Sequence, residues 1–168
     1  ELTRLKKAVT GARRQIGRLK SKAKALPGGA SDEMIYLLDA YSQMLENSRL
    51  VRGAESRISD DRINAEAAVQ AELSEISATF ANMKDSYLAA RLDDIRDVAG
   101  RLIRLLVKSP RKSVARAPKG SIIVAEDLTP ADTAQMDPAR IAGFATALGG
   151  AEGHTAIMAR ALGLPSVL

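Results

Sequence analysis

Gly149-Gly150-Ala151-Glu152-Gly153-His154-Thr155-Ala156-Ile157-Met158-Ala159-Arg160, continued by Ala161-Leu162-Gly163-Leu164-Pro165, is the stretch on which both fold and chemistry turn. It carries the single histidine of the chain, where a glycine-rich loop becomes a run without a helix breaker. Gly163 and Pro165 supply the glycine and following proline that stop a helix, so a helix is predicted over 155–162 with His154 at or within one residue of its start. There the unpaired N–H groups and the positive end of the helix dipole favour an anion beside the imidazole and disfavour a proton on it. A neutral imidazole is a nucleophile. Gly149, Gly150 and Gly153 keep side-chain bulk off the approach and, with Thr155, form a candidate phosphate loop. Taken without context, the same residues also fit an ordinary histidine after a simple turn.

Working outward, the hydrophobic period changes from helical to strand-like on either side of this loop. Ser121-Ile122-Ile123-Val124-Ala125 reads as a short buried strand and Ile141-Ala142-Gly143-Phe144-Ala145-Thr146 as a second, with a third beginning at Pro165. Between the first two, Thr129-Pro130-Ala131-Asp132 has an N-cap, a proline at the first helical position and an acid in the first turn, opening a brief helix to about Met136. Strand, helix, strand, helix, strand predicts an α/β unit over 120–168, with the histidine loop at a strand's C-terminal end, where such folds place their chemistry.

Residues 1–107 have a different grammar. Leu2, Leu5, Val9, Ala12, Ile16, Leu19, Ala23 and Leu26 alternate by three and four, the seam of a supercoiled helix, and Pro27-Gly28-Gly29 ends it. Gly11 and Gly17 lie off that seam and weaken the helix by roughly 1 kcal/mol each. A second helix, capped by Ser31 or Asp32, places Met34, Leu37, Leu38, Tyr41, Leu45 and Val51 on its buried stripe, up to a break at Ser59-Asp60-Asp61. A third is marked by Ile63, Ala67, Leu73, Ile76, Phe80 and Met83. A fourth, capped by Asp85 or Ser86, shows Leu88, Leu92, Ile95, Ala99, Leu102 and Leu106. Short connections make these an antiparallel four-helix bundle. Residues 108–119, rich in proline and charge, read as a linker.

Composition bounds the partners. The net charge of +5 is concentrated in residues 1–26, with nine Lys or Arg against Glu1, and in residues 108–119, with five basic residues and no acid. Only 3% of residues are aromatic and no RNA-binding motif is present, so no nucleic-acid partner is expected and the basic face is read chiefly as solvated surface. The absence of cysteine excludes disulfides and thiolate metal sites. With no membrane-spanning apolar run and no signal peptide, a cytoplasmic protein is expected, and a chain running from Glu1 to Leu168 inside an apolar run reads as a fragment.

The histidine run closely resembles the phosphohistidine signature of enzyme I of the bacterial phosphoenolpyruvate-dependent phosphotransferase system, Gly-Gly-x-x-Ser-His-Thr-Ala-Ile-x-Ala-Arg followed by Gly-x-Pro. It departs from it at Glu152 and Gly153, a variation that inclines the reading to the nitrogen-related form. Asp127-Leu128-Thr129-Pro130-Ala131-Asp132-Thr133-Ala134-Gln135 resembles a second segment of that family, with Thr133 lying 21 residues before His154. Leu38 to Glu46 and Tyr87 to Val98 resemble its helical subdomain. The resemblance implies an α+β protein of two subdomains: a four-helix bundle that docks the carrier protein HPr and a truncated α/β swivelling phosphohistidine domain. His154 then takes phosphate from phosphoenolpyruvate and passes it to a carrier histidine, while the Thr133 hydroxyl bonds the ring. Tyr41, Met44, Glu46, Leu50 and Arg91 fall on or near the docking face, Met44 and Arg91 being read as partner surface.

The same resemblance places the phosphoenolpyruvate site, with its Mg2+, in a C-terminal domain beyond this chain, and makes the full-length enzyme a homodimer. It leaves no cofactor in the fragment. Two other readings fit less of the chain: the swivelling domain of pyruvate phosphate dikinase or phosphoenolpyruvate synthase, and a coiled-coil adaptor in which His154 is incidental.

Overall fold

The structure, a computed structural model, describes residues 1–24, 30–46, 48–81, 86–108, 114–148, 150 and 154–168, with only the backbone described at 30, 81, 86–90, 131 and 154. Contacts divide the chain into two compact units, Glu1–Ile16 with Asp39–Pro110 and Gly17–Leu38 with Arg111–Leu168.

Five helices come first: α1 Leu2–Ala23, α2 Ala30–Met44, α3 Arg49–Asp60, α4 Ala65–Ala81 and α5 Ser86–Leu106. The α1 seam is buried as its period requires, Leu5, Ala12, Ile16 and Ala23 being fully covered. The second predicted helix is two segments. Its stripe runs on to a buried Val51, but Ser48 is extended and its hydroxyl accepts the Val51 N–H at 3.4 Å, opening α3 afresh. The third and fourth helices appear as α4 and α5; the cap predicted for the fourth, Asp85 or Ser86, falls outside the described residues, which include neither Asp85 nor the Ser86 side chain.

In the first unit α3 packs on α4 and α4 on α5. Leu50, Ala54, Val69, Val98 and Leu102 fill that core, and each large side chain removed from water contributes about 1.5–3 kcal/mol before entropy is counted. Charge is buried there too. Glu72 is 6% exposed and accepts from Arg49 Nε at 3.2 Å and Arg57 Nε at 3.1 Å. Tyr41, 1% exposed, donates its hydroxyl to Asp97 Oδ2 at 2.9 Å.

In the second unit a 3-10 turn over Val114–Arg116 precedes β1 Ser121–Ala125, α6 Pro130–Thr133, β2 Ile141–Thr146, α7 His154–Leu162 and β3 Ser166–Val167. The strands form one parallel sheet in the order β1-β2-β3, Val124 pairing with Ala145 and Ala145 with Val167. A Cβ on Gly143 would stand 2.8 Å from the Pro165 carbonyl oxygen, so a glycine is what lets β3 approach. One face packs: Leu128, Met136, Ile141, Phe144, Ala159 and Leu164 form the core, with Ile123 and Ala125 against it. On the other face Ile122, Val124 and Val167 are exposed.

Candidate functional site

The two crossovers of the sheet, β1-α6-β2 and β2-α7-β3, bring the starts of α6 and α7 to the C-terminal ends of the strands. His154 is the first residue of α7, in agreement with the loop-to-helix reading of the sequence. Gly163 closes that helix with φ +63°, and the Leu164 N–H returns to the Ala159 carbonyl at 2.9 Å, the six-to-one bond of a left-handed glycine stop. The first N–H groups of α7 have no partner within the helix and face whatever stands before it. The His154 side chain, with Gly149 and Gly153 of the candidate phosphate loop, lies outside the described residues. Gly150 is exposed, with open space where a Cβ would stand.

α6 forms because Thr129 caps it. The Asp132 carboxylate accepts both the Thr129 backbone N–H at 3.1 Å and the Thr129 hydroxyl at 2.7 Å, and Pro130 takes the first helical position. This places Thr133, which is fully buried, at the end of the first turn. Its hydroxyl donates to the Pro130 carbonyl at 3.0 Å and lies 3.5 Å from that of Thr129. With its one proton committed to a backbone oxygen, Oγ1 has only lone pairs left to offer.

Thr155 is also buried, and its hydroxyl donates to the Leu128 carbonyl at 3.3 Å, tying the first turn of α7 to the segment that leads into α6. Its side chain is therefore a structural tether, and only its backbone N–H remains for the phosphate-loop role read from the sequence. A third threonine, Thr146, escaped that reading. It ends β2 opposite Ala125, is 8% exposed, and its hydroxyl has no hydrogen-bond partner among the described residues. A buried hydroxyl left in that state costs about 1–3 kcal/mol. The signal available in the sequence was its position, a polar residue closing an apolar strand just before the glycine loop.

The candidate docking residues divide. Glu46 is exposed and pairs with Arg13 at 2.7 Å; Met44 is half-buried; Arg91 is half-buried and reaches Asp94 at 3.2 Å. Tyr41 and Leu50, which the family resemblance put on or near the docking face, are 1% and 3% exposed and pack in the core. Among the described residues no cluster of three or more His, Asp or Glu could hold a metal ion, so none is assigned to Mg2+. Among the same residues no helix is long and apolar enough to cross a membrane.

Residues 1–91 match the family described as PEP-utilising enzyme, N-terminal, and residues 117–168 match the PEP-utilising enzyme, mobile domain. The chain is 42% identical over 137 residues to a phosphoenolpyruvate-protein phosphotransferase of Haloferax volcanii, covering 82% of this chain and 24% of that protein. It is 35% identical to one of Cupriavidus necator, over the whole of this chain and 30% of the relative. The chain thus spans under a third of the length of these relatives. Among solved structures it is similar to an NMR solution structure of Enzyme I, with TM-score 0.82 and 32% identity over 99% of this chain and 66% of that one. It is similar as well to the N-terminal domain of Enzyme 1 - Nitrogen, with TM-score 0.68 and 31% identity over the same shares.

Proposed function

Because the chain belongs to the PEP-utilising enzymes, we propose that it is the phosphohistidine and carrier-docking part of a phosphoenolpyruvate-protein phosphotransferase, with His154 as the residue that carries the phosphoryl group. The reading is supported above all by one arrangement: the only histidine opens a helix at the C-terminal end of a parallel sheet, and that helix packs on the short helix that ends in Thr133, whose proton is already spent.

The chemistry is two in-line displacements. In the first, a neutral imidazole nitrogen forms a bond to phosphorus as the bond from phosphorus to the enol oxygen of phosphoenolpyruvate breaks, and the enolate leaves and is protonated to pyruvate. In the second, a nitrogen of a histidine on an HPr-like carrier attacks that phosphorus and the bond to His154 breaks. Both rest on positioning and on neutralising phosphate charge. The α7 N-terminus supplies partial positive charge and keeps the imidazole uncharged before attack. Thr133 is the positioning residue. Since its oxygen can only accept, a ring N–H must point at it, which fixes the tautomer and leaves the other nitrogen's lone pair for phosphorus.

Residues 1–107 are the carrier-docking subdomain in this reading, 108–119 the linker and 120–168 the phosphohistidine domain. Met44, Glu46 and Arg91 are the docking residues that keep exposed or half-exposed side chains. In this reading any Mg2+ would be held by residues outside this chain, where it would supply charge neutralisation for the donor, and the setting is cytoplasmic. The test is incubation of the chain with a phosphorylated HPr-like carrier. Transfer of an acid-labile, base-stable phosphate to the chain, lost in His154→Ala, is expected, with no labelling from phosphoenolpyruvate alone. Equal labelling of chain and variant overturns the assignment.

A further inference from the structure

We infer that Thr146 is a further phosphoryl-binding residue, its hydroxyl held at the C-terminal end of β2 to donate a hydrogen bond to a phosphoryl oxygen carried at the start of α7. The inference rests on the reading of His154 as the phosphorylated residue.

The position follows from strand alternation. Side chains two apart on a strand share a face, so Thr146 lies on the same face as Phe144, which packs with Leu128 and with Ala159 of α7. One helical turn before Ala159 stands Thr155, tied to the Leu128 carbonyl. The first turn of α7 therefore sits over the face and the end of the sheet that Thr146 occupies. Beyond Thr146 the ladder continues through the Ala147 N–H to the Ala125 carbonyl at 3.3 Å and the Leu148 N–H to the Glu126 carbonyl at 2.9 Å, so this strand end is held by backbone bonds.

Three threonine hydroxyls are buried in this part of the chain, and their partners differ. Thr133 gives its proton to Pro130 and Thr155 gives its own to Leu128, both backbone carbonyls. Thr146 gives its proton to nothing among the described residues, and its register partner Ala125 has no polar side chain to offer. Valine would fill the same β-branched space without burying a hydroxyl. A buried donor, beside the end of a helix whose N–H groups favour negative charge, suits an anion that arrives and leaves. A phosphoryl oxygen is such an acceptor, and a hydrogen bond to it is charge-assisted.

The test loads the whole chain with phosphate from phosphoramidate, a small donor that needs no docking surface, and follows phosphohistidine by 31P NMR and mass spectrometry. In Thr146→Val the thermal unfolding midpoint of the unphosphorylated protein is expected to hold or rise. Its phosphohistidine should hydrolyse about tenfold faster, with the phosphoryl group titrating at higher pH because a donor that favoured the dianion is gone. Thr146→Ser should restore both to within about twofold, since it keeps the donor. A structural role would lower the unfolding midpoint and leave the 31P shift and titration alone. If the wild type takes phosphate on His154 and Thr146→Val matches it in shift, titration and lifetime, the inference is overturned and the function stands; if the wild type takes none, both fall. Should Thr146→Val not fold, threonine-selective 13C labelling of the wild type decides. The Thr146 Cβ resonance must move on phosphorylation while Thr10 and Thr79 stay, and an unmoved Thr146 overturns the inference.

Discussion

In the helical unit, buried polar side chains answer other side chains, Glu72 between the guanidinium groups of Arg49 and Arg57 and Tyr41 on Asp97, whereas in the sheet unit the buried hydroxyls of Thr133 and Thr155 answer backbone carbonyls. The first arrangement specifies which helix lies against which, since a carboxylate displaced from its arginines stays charged and loses its solvation. The second ties helix starts to neighbouring backbone, and it leaves the Thr146 hydroxyl without a partner among the described residues. The two units therefore hold their buried polar groups by different physics in the same chain. If this contrast is right, mutations should break the two units by different mechanisms.

The largest effect is expected in the smaller core. Phe144 is 3% exposed at the centre of the cluster formed with Leu128, Met136, Ile141, Ala159 and Leu164, and no second layer covers the opposite face of the sheet among the described residues. Phe144→Ala should cost about 4 kcal/mol. Amide hydrogen exchange should show protection lost over β1, β2 and α7; retained protection there would mean that the sheet unit does not depend on this cluster.

The ion-pair side of the contrast is sharpened at Gly53, within α3. Replacing a helical glycine with alanine normally stabilises by about 0.5–1 kcal/mol. Here a Cβ would come within 2.3 Å of the Glu72 carboxyl carbon, and that side chain is pinned between Arg49 and Arg57. The carboxylate must shift away from its partners, so Gly53→Ala is expected to destabilise by about 2 kcal/mol. Urea unfolding measures it, and a gain in stability would show that the Glu72 cluster contributes little.

Tyr41 adds a pH dependence. Burial first, then Asp97 and Asp94, holds its phenol well above the usual tyrosine range, so the folded state keeps a proton that the unfolded chain releases near pH ~10. The associated stability is present below that pH and is lost as pH rises above it, by up to about 1.4 kcal/mol per unit. Tyr41→Phe should be less stable by about 1 kcal/mol at pH 8, and the gap should close as pH passes about 10. Parallel urea midpoints of wild type and variant across that range would exclude the phenol as the cause.

Much of the sheet unit was legible because its instructions are short-range. The strands at 121–125 and 141–146, the Thr129 cap with Pro130 behind it and the stop at Gly163 each depend on neighbours within a few positions, and each stands where the sequence put it. The helical unit was harder. An apolar stripe from Met34 to Val51 carries no mark of the break at Ser48, and periodicity placed Tyr41 on the buried stripe while the family pattern placed it near the docking face, a conflict decided by packing. Glu72 carries no sign in the sequence that it lies under two arginines, because those arginines come from another helix. Around His154, residue types and spacing gave the elements, yet a Thr146 hydroxyl buried without a partner among the described residues is a property of three dimensions.

The smallest expected effect is also the control for Gly53. Gly17 lies inside α1, exposed, and a Cβ built there meets nothing within 4 Å. Without a side chain to displace, Gly17→Ala should show the ordinary behaviour of a helix interior, a gain of about 0.5–1 kcal/mol from reduced freedom of the unfolded chain and better helix propensity. The substitution is thus the same at both positions and its sign is expected to differ. Comparing the two urea midpoints isolates what the buried carboxylate adds at Gly53. If both alanines stabilise, the arginine pairs around Glu72 are surface decoration and the contrast between the units narrows to their hydroxyls; if both destabilise, α1 meets a neighbour at Gly17 and the open space there is closed in solution.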